Sequence, residues 1–535
     1  TLSVNEAGDK TETTYDQNGN QTAVNNANGY SVVYGYDSHN NMVSIENSLM
    51  DGDTAETTMR YDGDGNMLSM KNDNGESMSC TYNAKGLIET VTDQNGNTTV
   101  YEYNDDGQIA NETDGNGKTV EYTYNTKGDL TEVKDKNGNK TQYTYNKLGL
   151  QSGTIVTAGN ETYTTQTFYD DLGRIDYTID TEGGITSYEY DCAGNITSRT
   201  DPGGAMTVFQ YDQNYQLIKE TVYPTENEEE EDNKATSSTT YTYTKEGLLK
   251  TVTDGVSKTT ITNTYDSVGN KIGEVETDEN KKELSRKTFS YDKAGNLTKE
   301  TVVSVGTKDE TKPLSMSYQY YPNGKLHYAV DTAGKKTTYS YDKSWRVETI
   351  KSETSPTVHY TYDAAGRVKK ETVGEGSDAQ TVSYEYDIYG NVVKTTDNAG
   401  VETHFCYDAN GNLIETKDAT GKVYYSKYDA LNRVVESGVR RPDSAENIPL
   451  SKVSYSISNH TVIETDVVRG GSIITHYDSA GRPYKSTNDA GFVLSETIYD
   501  TEGRTLQSVD ANGLVTEYAY NDLMQIASVK TGAKG

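Results

Sequence analysis

The residues best placed to do chemistry in this chain are carboxylates and amides at alternate positions. DGDGN sets Asp62, Asp64 and Asn66 two apart, and DQNGN does the same with Asp93, Asn95 and Asn97. Oxygen ligands at that spacing could hold calcium. An EF-hand loop, however, also needs glycine at its sixth position and glutamate at its twelfth. Counting from Asp62, position six is Met67. Asp and Asn also favour tight turns because their side chains bond nearby backbone N–H groups. The expectation is turns, with no metal site.

Other chemistry finds less support. The histidines at 39, 327, 359, 404, 460 and 476 share no metal-ligand spacing. His404 and His476 fall near strand ends and read as sheet histidines. No GxSxG, Walker or GxGxxG context exists, and in so acidic a chain a pair of carboxylates carries no specific meaning. Cys80, Cys192 and Cys406 are odd in number and far apart, so no disulfide framework is expected. Cys80 and Cys406 lie within two residues of a recurring tyrosine and should pack in strands. The expected inventory is no catalytic residue, no cofactor-binding residue and no metal ligand: not an enzyme.

The bulk composition narrows the partners. Net charge is −33. Phosphate binding needs clustered Lys and Arg, so nucleic acid is disfavoured, and anionic membrane surfaces with it. The charge serves mainly solubility. No apolar run reaches 18 residues, so no membrane-spanning helix is expected. The aromatic content is unusual, with 45 Tyr against 5 Phe and 1 Trp.

The elements that carry these residues repeat. An anchor tyrosine returns 23 times, from Tyr15 to Tyr520, followed by Asp or Asn in 20 copies, and 12 of the 22 intervals are 21 residues. A period in this range marks a repeat architecture. Four residues after the anchor tyrosine comes a residue that tolerates positive φ, as in Gly65, Gly107, Gly194 and Gly411, or Asn40 and Asn432. Tyr215, Trp345 and Met524 occupy this slot against the rule, so their turns are either built differently or strained. Six residues after the anchor comes an aliphatic, as in Ile88, Leu130 and Leu413. A second turn of the form D-x-x-G follows, as at Asp93, Asp114, Asp135 and Asp510. Two short strands and two tight turns make one β-hairpin per repeat. An aromatic two before the anchor, such as Tyr101 before Tyr103, shares its face. Stacked repeats should align these rings in ladders. Such tyrosines could bind sugar rings; structural stacking is the favoured expectation. The acidic run Glu226–Asp232 reads as a solvated excursion from a turn.

These units predict an all-β chain: tandem hairpins in one long sheet, apolar on one face and polar on the other. At ~4.8 Å per strand, about 46 strands would extend roughly 220 Å, and a sheet that long must twist and coil. The apolar side chains suffice for one face of a ribbon and not for a compact solid.

Copies such as YDKAGNL from Tyr291 and YDANGNL from Tyr407 resemble the YD, or Rhs, repeat family, and the resemblance covers essentially all 535 residues. That family includes bacterial Rhs and wall-associated polymorphic toxins, the cocoon-forming B and C components of Tc toxins, and the teneurins. The resemblance implies a spiral, hollow β-sheet shell, secreted or at the cell surface of a bacterium. In toxin members the shell encloses a C-terminal effector of the same full-length protein. On this reading residues 1–535 are a single continuous shell fragment of about 23 repeats, truncated at both ends, with the effector absent. The competing expectation is a surface adhesin that recognises glycans or a cell-surface protein. Toxin shells also carry DPxGL-type segments where an aspartyl autoprotease acts. Asp201-Pro202-Gly203-Gly204 is superficially similar, but it fills a second-turn slot and lacks the Leu. It is expected to be a turn.

Overall fold

A computed structural model describes residues 2–4, 10–48, 54–73, 75, 77–158, 161–181, 183–223, 237–255, 257–305, 313–456, 460–478, 482–499, 504–520 and 526–533. Glu226–Asp232 and Met524 lie outside these. Among the described residues 47 strands form one sheet, and the helical content is a single 3-10 turn at Gly376–Asp378.

One repeat shows how the sequence builds it. Ser77–Tyr82 pairs antiparallel with Ile88–Thr92, which pairs in turn with Thr98–Tyr103. Both connecting turns are three-residue loops. In the first, Gly86 N–H donates to the Asn83 carbonyl at 2.9 Å and Asn83 N–H to the Leu87 carbonyl at 2.8 Å. In the second, Gly96 N–H donates to the Asp93 carbonyl at 3.0 Å and Asp93 N–H to the Asn97 carbonyl at 2.9 Å. The closing glycines sit at φ 77° and 83°, the left-handed region this hairpin loop requires. The two turns of the repeat, read as different motifs in the sequence, are the same device used twice.

The anchor tyrosine marks a bulge. Thr81 faces Thr90, but Tyr82 faces Ile88, so the register slips by one at the anchor. The same slip recurs at Tyr36, Tyr169, Tyr341 and Tyr499. A bulge sharpens the local twist and leaves a backbone group without a ladder partner. The next anchor supplies one. Pairing of Ile88–Thr92 with the following strand ends at Thr90 opposite Val100. The Tyr103 hydroxyl then donates to the Ile88 carbonyl at 2.7 Å. The same bond, from an anchor to the sixth position of the previous repeat, joins Tyr61 to Met42, Tyr145 to Leu130, Tyr291 to Lys271, Tyr341 to Leu326 and Tyr428 to Leu413. Its recurrence explains why the anchor is tyrosine and not phenylalanine.

Alternation follows the period of two. In Thr98–Tyr103 the side chains of Tyr101 and Tyr103 are half-buried while Val100 and Glu102 are exposed. The expected ladder of stacked rings is sparse. Phe168 stacks on Tyr177 at 4.3 Å and Tyr384 on Tyr386 at 6.5 Å. Elsewhere the residue five after an anchor covers the next anchor's ring. Arg174 lies over Tyr190, Arg346 over Tyr362, Arg367 over Tyr386 and Arg433 over Tyr455, at 4.1–4.6 Å.

The chain divides into two compact units. One holds residues 1–121, 263–275 and 283–406; the other holds 122–262, 276–282 and 407–535. In each, an early and a late stretch of ribbon meet edge to edge. In the first, Asn26 Nδ2 donates to the Pro322 carbonyl at 2.9 Å and Asn28 Nδ2 to Asp292 Oδ2 at 3.1 Å. In the second, Asn410 Nδ2 donates to Asp135 Oδ2 at 2.9 Å. Each seam joins a second-turn edge to a Tyr-Asp-turn edge.

Tyr341 gives a test, because its ring is 9% exposed and its hydroxyl bonds the Leu326 carbonyl at 2.8 Å. Tyr341→Phe should lower the opening free energy of the 326–341 amides in hydrogen exchange by about 1 kcal/mol, the net worth of one hydrogen bond. Tyr341→Ala should cost about 3–5 kcal/mol. No loss in Tyr341→Phe would show that the hydroxyl bond contributes nothing, and equal losses in the two variants would show that the ring adds nothing to it.

Candidate functional site

The residues singled out for chemistry converge on the turns, and the turns use them up. In DGDGN, Asp62 Oδ1 accepts from the backbone N–H of Asp64 and of Asn66, each at 2.9 Å, and Oδ2 accepts from Asn66 Nδ2 at 2.9 Å. In DQNGN, Asp93 does the same with Asn95 and Asn97 at 2.8–3.0 Å. The alternate spacing that suggested calcium is the spacing at which a turn's N–H groups meet its first carboxylate. Among the described residues no group of three or more His, Cys, Asp or Glu gathers as a cation site.

Where arginine replaces asparagine five after the anchor, it takes over the same bond. Arg174 meets Asp170, Arg346 meets Asp342, Arg367 meets Asp363 and Arg433 meets Asp429, each at 2.7 Å. Asn and Arg are interchangeable here because both offer an N–H to Asp Oδ2. Arginine adds a flat cation over the next tyrosine.

These donors set the acidity of the carboxyls. The Asn66 side chain and backbone N–H groups hold Asp62 below the usual carboxylate range. The Asn20 and Asn195 side chains lead the same effect at Asp16 and Asp191, and the Asn41 backbone N–H leads it at Asp37. An aspartate so stabilised as an anion is a poor general acid.

Asp201 closes an ordinary second turn. It accepts from Gly204 N–H at its carbonyl, 2.9 Å, and from Ala205 N–H at Oδ1, 3.0 Å. The turns at Tyr215 and Trp345 are not built differently. Tyr215 N–H bonds the Asp212 carbonyl at 3.1 Å and Trp345 N–H the Asp342 carbonyl at 3.0 Å, with φ of 61° and 57°. The left-handed slot is kept and the strain accepted.

The histidines are dispersed. His404 meets Glu402 at 3.2 Å, His359 meets Thr349 Oγ1 at 3.1 Å, and His327 stacks on Tyr321 at 4.5 Å. Burial, then the Lys336 charge, pushes the His327 imidazole below its usual range. Cys80 and Cys406 both lie in strands, but only Cys80 is buried; Cys406 and Cys192 are exposed.

Sequence reasoning missed the seam residues. Tyr389 donates its hydroxyl to the buried Asp114, across 275 residues. Burial and that carboxylate push the Tyr389 hydroxyl up to about 12, so it stays a donor at neutral pH. Arg433 reaches Tyr163, which is buried, and lies 4.7 Å over its ring. Both residues sit in ordinary turn positions, so no local signal distinguishes them.

Tandem hairpins in one sheet, closed by Asp turns, bulged at each anchor and seamed edge to edge, define a YD-repeat shell. The teneurin YD-shell family profile matches residues 2–121 and 53–441, and the chain belongs to that family. The fold is shared with the crystal structure of TcdB2-TccC3, at TM-score 0.55 and 12% identity, over 99% of this chain and 37% of that one. It is likewise shared with that of TcdB2-TccC3-TEV, at 0.52 and 14%, over 97% and 30%. The chain thus spans about a third of the length of these structures. No curated protein matches. The coarse role that follows is structural: this chain is a shell segment. No described helix is long and apolar enough to cross a membrane.

The sign of the pH effect follows from the depressed carboxyls. A folded pKa below the unfolded one stabilises the fold fully above the unfolded value of ~3.9, and the gain is lost as pH falls through the lower folded value. The melting temperature of Asp62→Asn should therefore lie below that of the parent at pH 7, and the gap should close below about pH 4. A gap that widens in acid would refute the assignment. Chelator should leave both melting temperatures unchanged.

Proposed function

We propose that this chain is a non-enzymatic wall segment of a larger secreted or surface-attached bacterial protein, one that encloses or presents a C-terminal effector of the same polypeptide. One observation carries the reading. The accessible surface is 31764 Å² for 58.9 kDa, against roughly 19,000 Å² for a compact globule of that mass. No large side chain is fully buried among the described residues, and the buried hydrophobics number six: Cys80, Tyr163, Tyr341, Val423, Tyr425 and Val509. The sheet is one layer thick, with water on both faces. Such a layer is a poor place for a desolvated active site and a suitable wall.

The sheet's construction also suits confinement. Hairpins are added by local turns, so wall area scales with repeat number, and side-chain hydrogen bonds across the seams tie the early and late stretches of each unit together. The net charge of −33 keeps the wall soluble and repels anionic surfaces. Glycan recognition by exposed aromatics is the weaker reading. The exposed ring of Tyr424, for instance, is covered by Lys422 at 4.5 Å.

Small-angle scattering from the chain should give a radius of gyration well above the compact expectation of roughly 24 Å. A protease-sensitive polypeptide fused after Gly535 should be cut more slowly than the same polypeptide fused before Thr1. A radius at the compact value, or equal cleavage at both ends, would overturn the container reading.

A further inference from the structure

Two turns place an aromatic where the backbone wants glycine, in the left-handed region that L side chains avoid. Trp345 shows what such a residue does. It packs against Tyr321 at 5.7 Å and Tyr341 at 5.8 Å. With Lys343 and Ser344 it also sits over a notch in the opposite ribbon edge, beside Asn47, Ala55 and Asn72, leaving about 270 Å³ between them. Trp345 is a knob on a Tyr-Asp-turn edge, seated on a second-turn edge of the same unit.

Tyr215 stands in the same slot, at φ 61°, in the other unit. Its side chain is 64% exposed. Leu172 and Leu148, on the same edge two turns and three turns earlier, are 78% and 68% exposed. That unit also carries a notch in which no described residue is seated. It lies on the second-turn edge of the late stretch, has a volume of about 880 Å³, and is lined by Leu450, Glu464, Asp466, Val468, Ile473 and Asp489. Val468 is 66% exposed.

We propose that Tyr215 is the knob of a self-association interface and seats in the Leu450–Asp489 notch of a second copy of this chain. Three observations choose that occupant. Both seams within the molecule join the same two kinds of edge, so the chain already contains the interface in two versions. Each partner edge carries exposed apolar side chains, Leu148 and Leu172 on one and Val468 and Ile473 on the other. The polar chemistry also has a precedent, since Tyr389 donates its hydroxyl to Asp114, the first carboxylate of a second turn. Asp466 is the corresponding carboxylate in the notch. The two surfaces differ, so the contact is head-to-tail and need not stop at two copies.

Sedimentation velocity over a concentration series of the 535-residue chain tests this. The parent should associate as concentration rises. Tyr215→Gly and Val468→Asp should each weaken association by at least about tenfold. Tyr215→Gly should melt at or above the parent's temperature, because glycine relieves the strained φ, which separates lost association from lost folding. Mixing the two variants should restore a dimer and nothing larger, since each retains the surface the other lacks. A parent whose sedimentation does not change with concentration, variants that associate like the parent, or a mixture that stays monomeric would each overturn the proposal.

Discussion

Everything in this structure hangs on one carboxylate, or its amide equivalent, at the start of a three-residue turn. It gathers the N–H groups that a tight reversal leaves without partners, which fixes the left-handed residue that follows. That residue fixes where the next strand starts. Strands of five or six residues then have a defined register, because a slip of one would turn the tyrosine face outward. In a chain with so few fully buried side chains, turn chemistry does the specifying that a packed core does elsewhere.

The anchor tyrosine is the second constraint and depends on the first. A bulge falls at the anchor beside the Tyr-Asp turn, the bulge strands a carbonyl, and the hydroxyl one repeat later satisfies it. Each repeat is thus completed by its successor. This nearest-neighbour dependence is what makes a repeat array cooperative without a central core. It also gives the tyrosine two tasks at once, an apolar ring for the half-buried face and a donor for the backbone, which phenylalanine cannot combine.

The sequence was legible wherever the cause was local. The period, the two turns, the left-handed slots and the face shared by Tyr101 and Tyr103 all follow from residues within one repeat. The reading stopped where the cause was distant. Nothing near Tyr389 or Arg433 says that one reaches Asp114 and the other Tyr163, because their partners lie about 270 residues away. The ladder of rings was over-read for a related reason. Counting tyrosines reveals how many faces need cover but not what covers them. At Arg174 and Arg367 the cover is a guanidinium from the preceding turn.

Strain offers the remaining link between sequence and assembly. A glycine at the left-handed slot is easily reached, so an aromatic there persists only where packing offsets its backbone cost. Trp345 has that packing within its own chain, between Tyr321 and Tyr341 and against the opposing edge. Tyr215 keeps the same geometry with its ring in water. The same slot therefore holds one offset cost and one that the isolated chain leaves standing. In a repeat protein, where every other turn states what the slot prefers, the exceptions to the pattern carry the most information about what lies beyond the repeat.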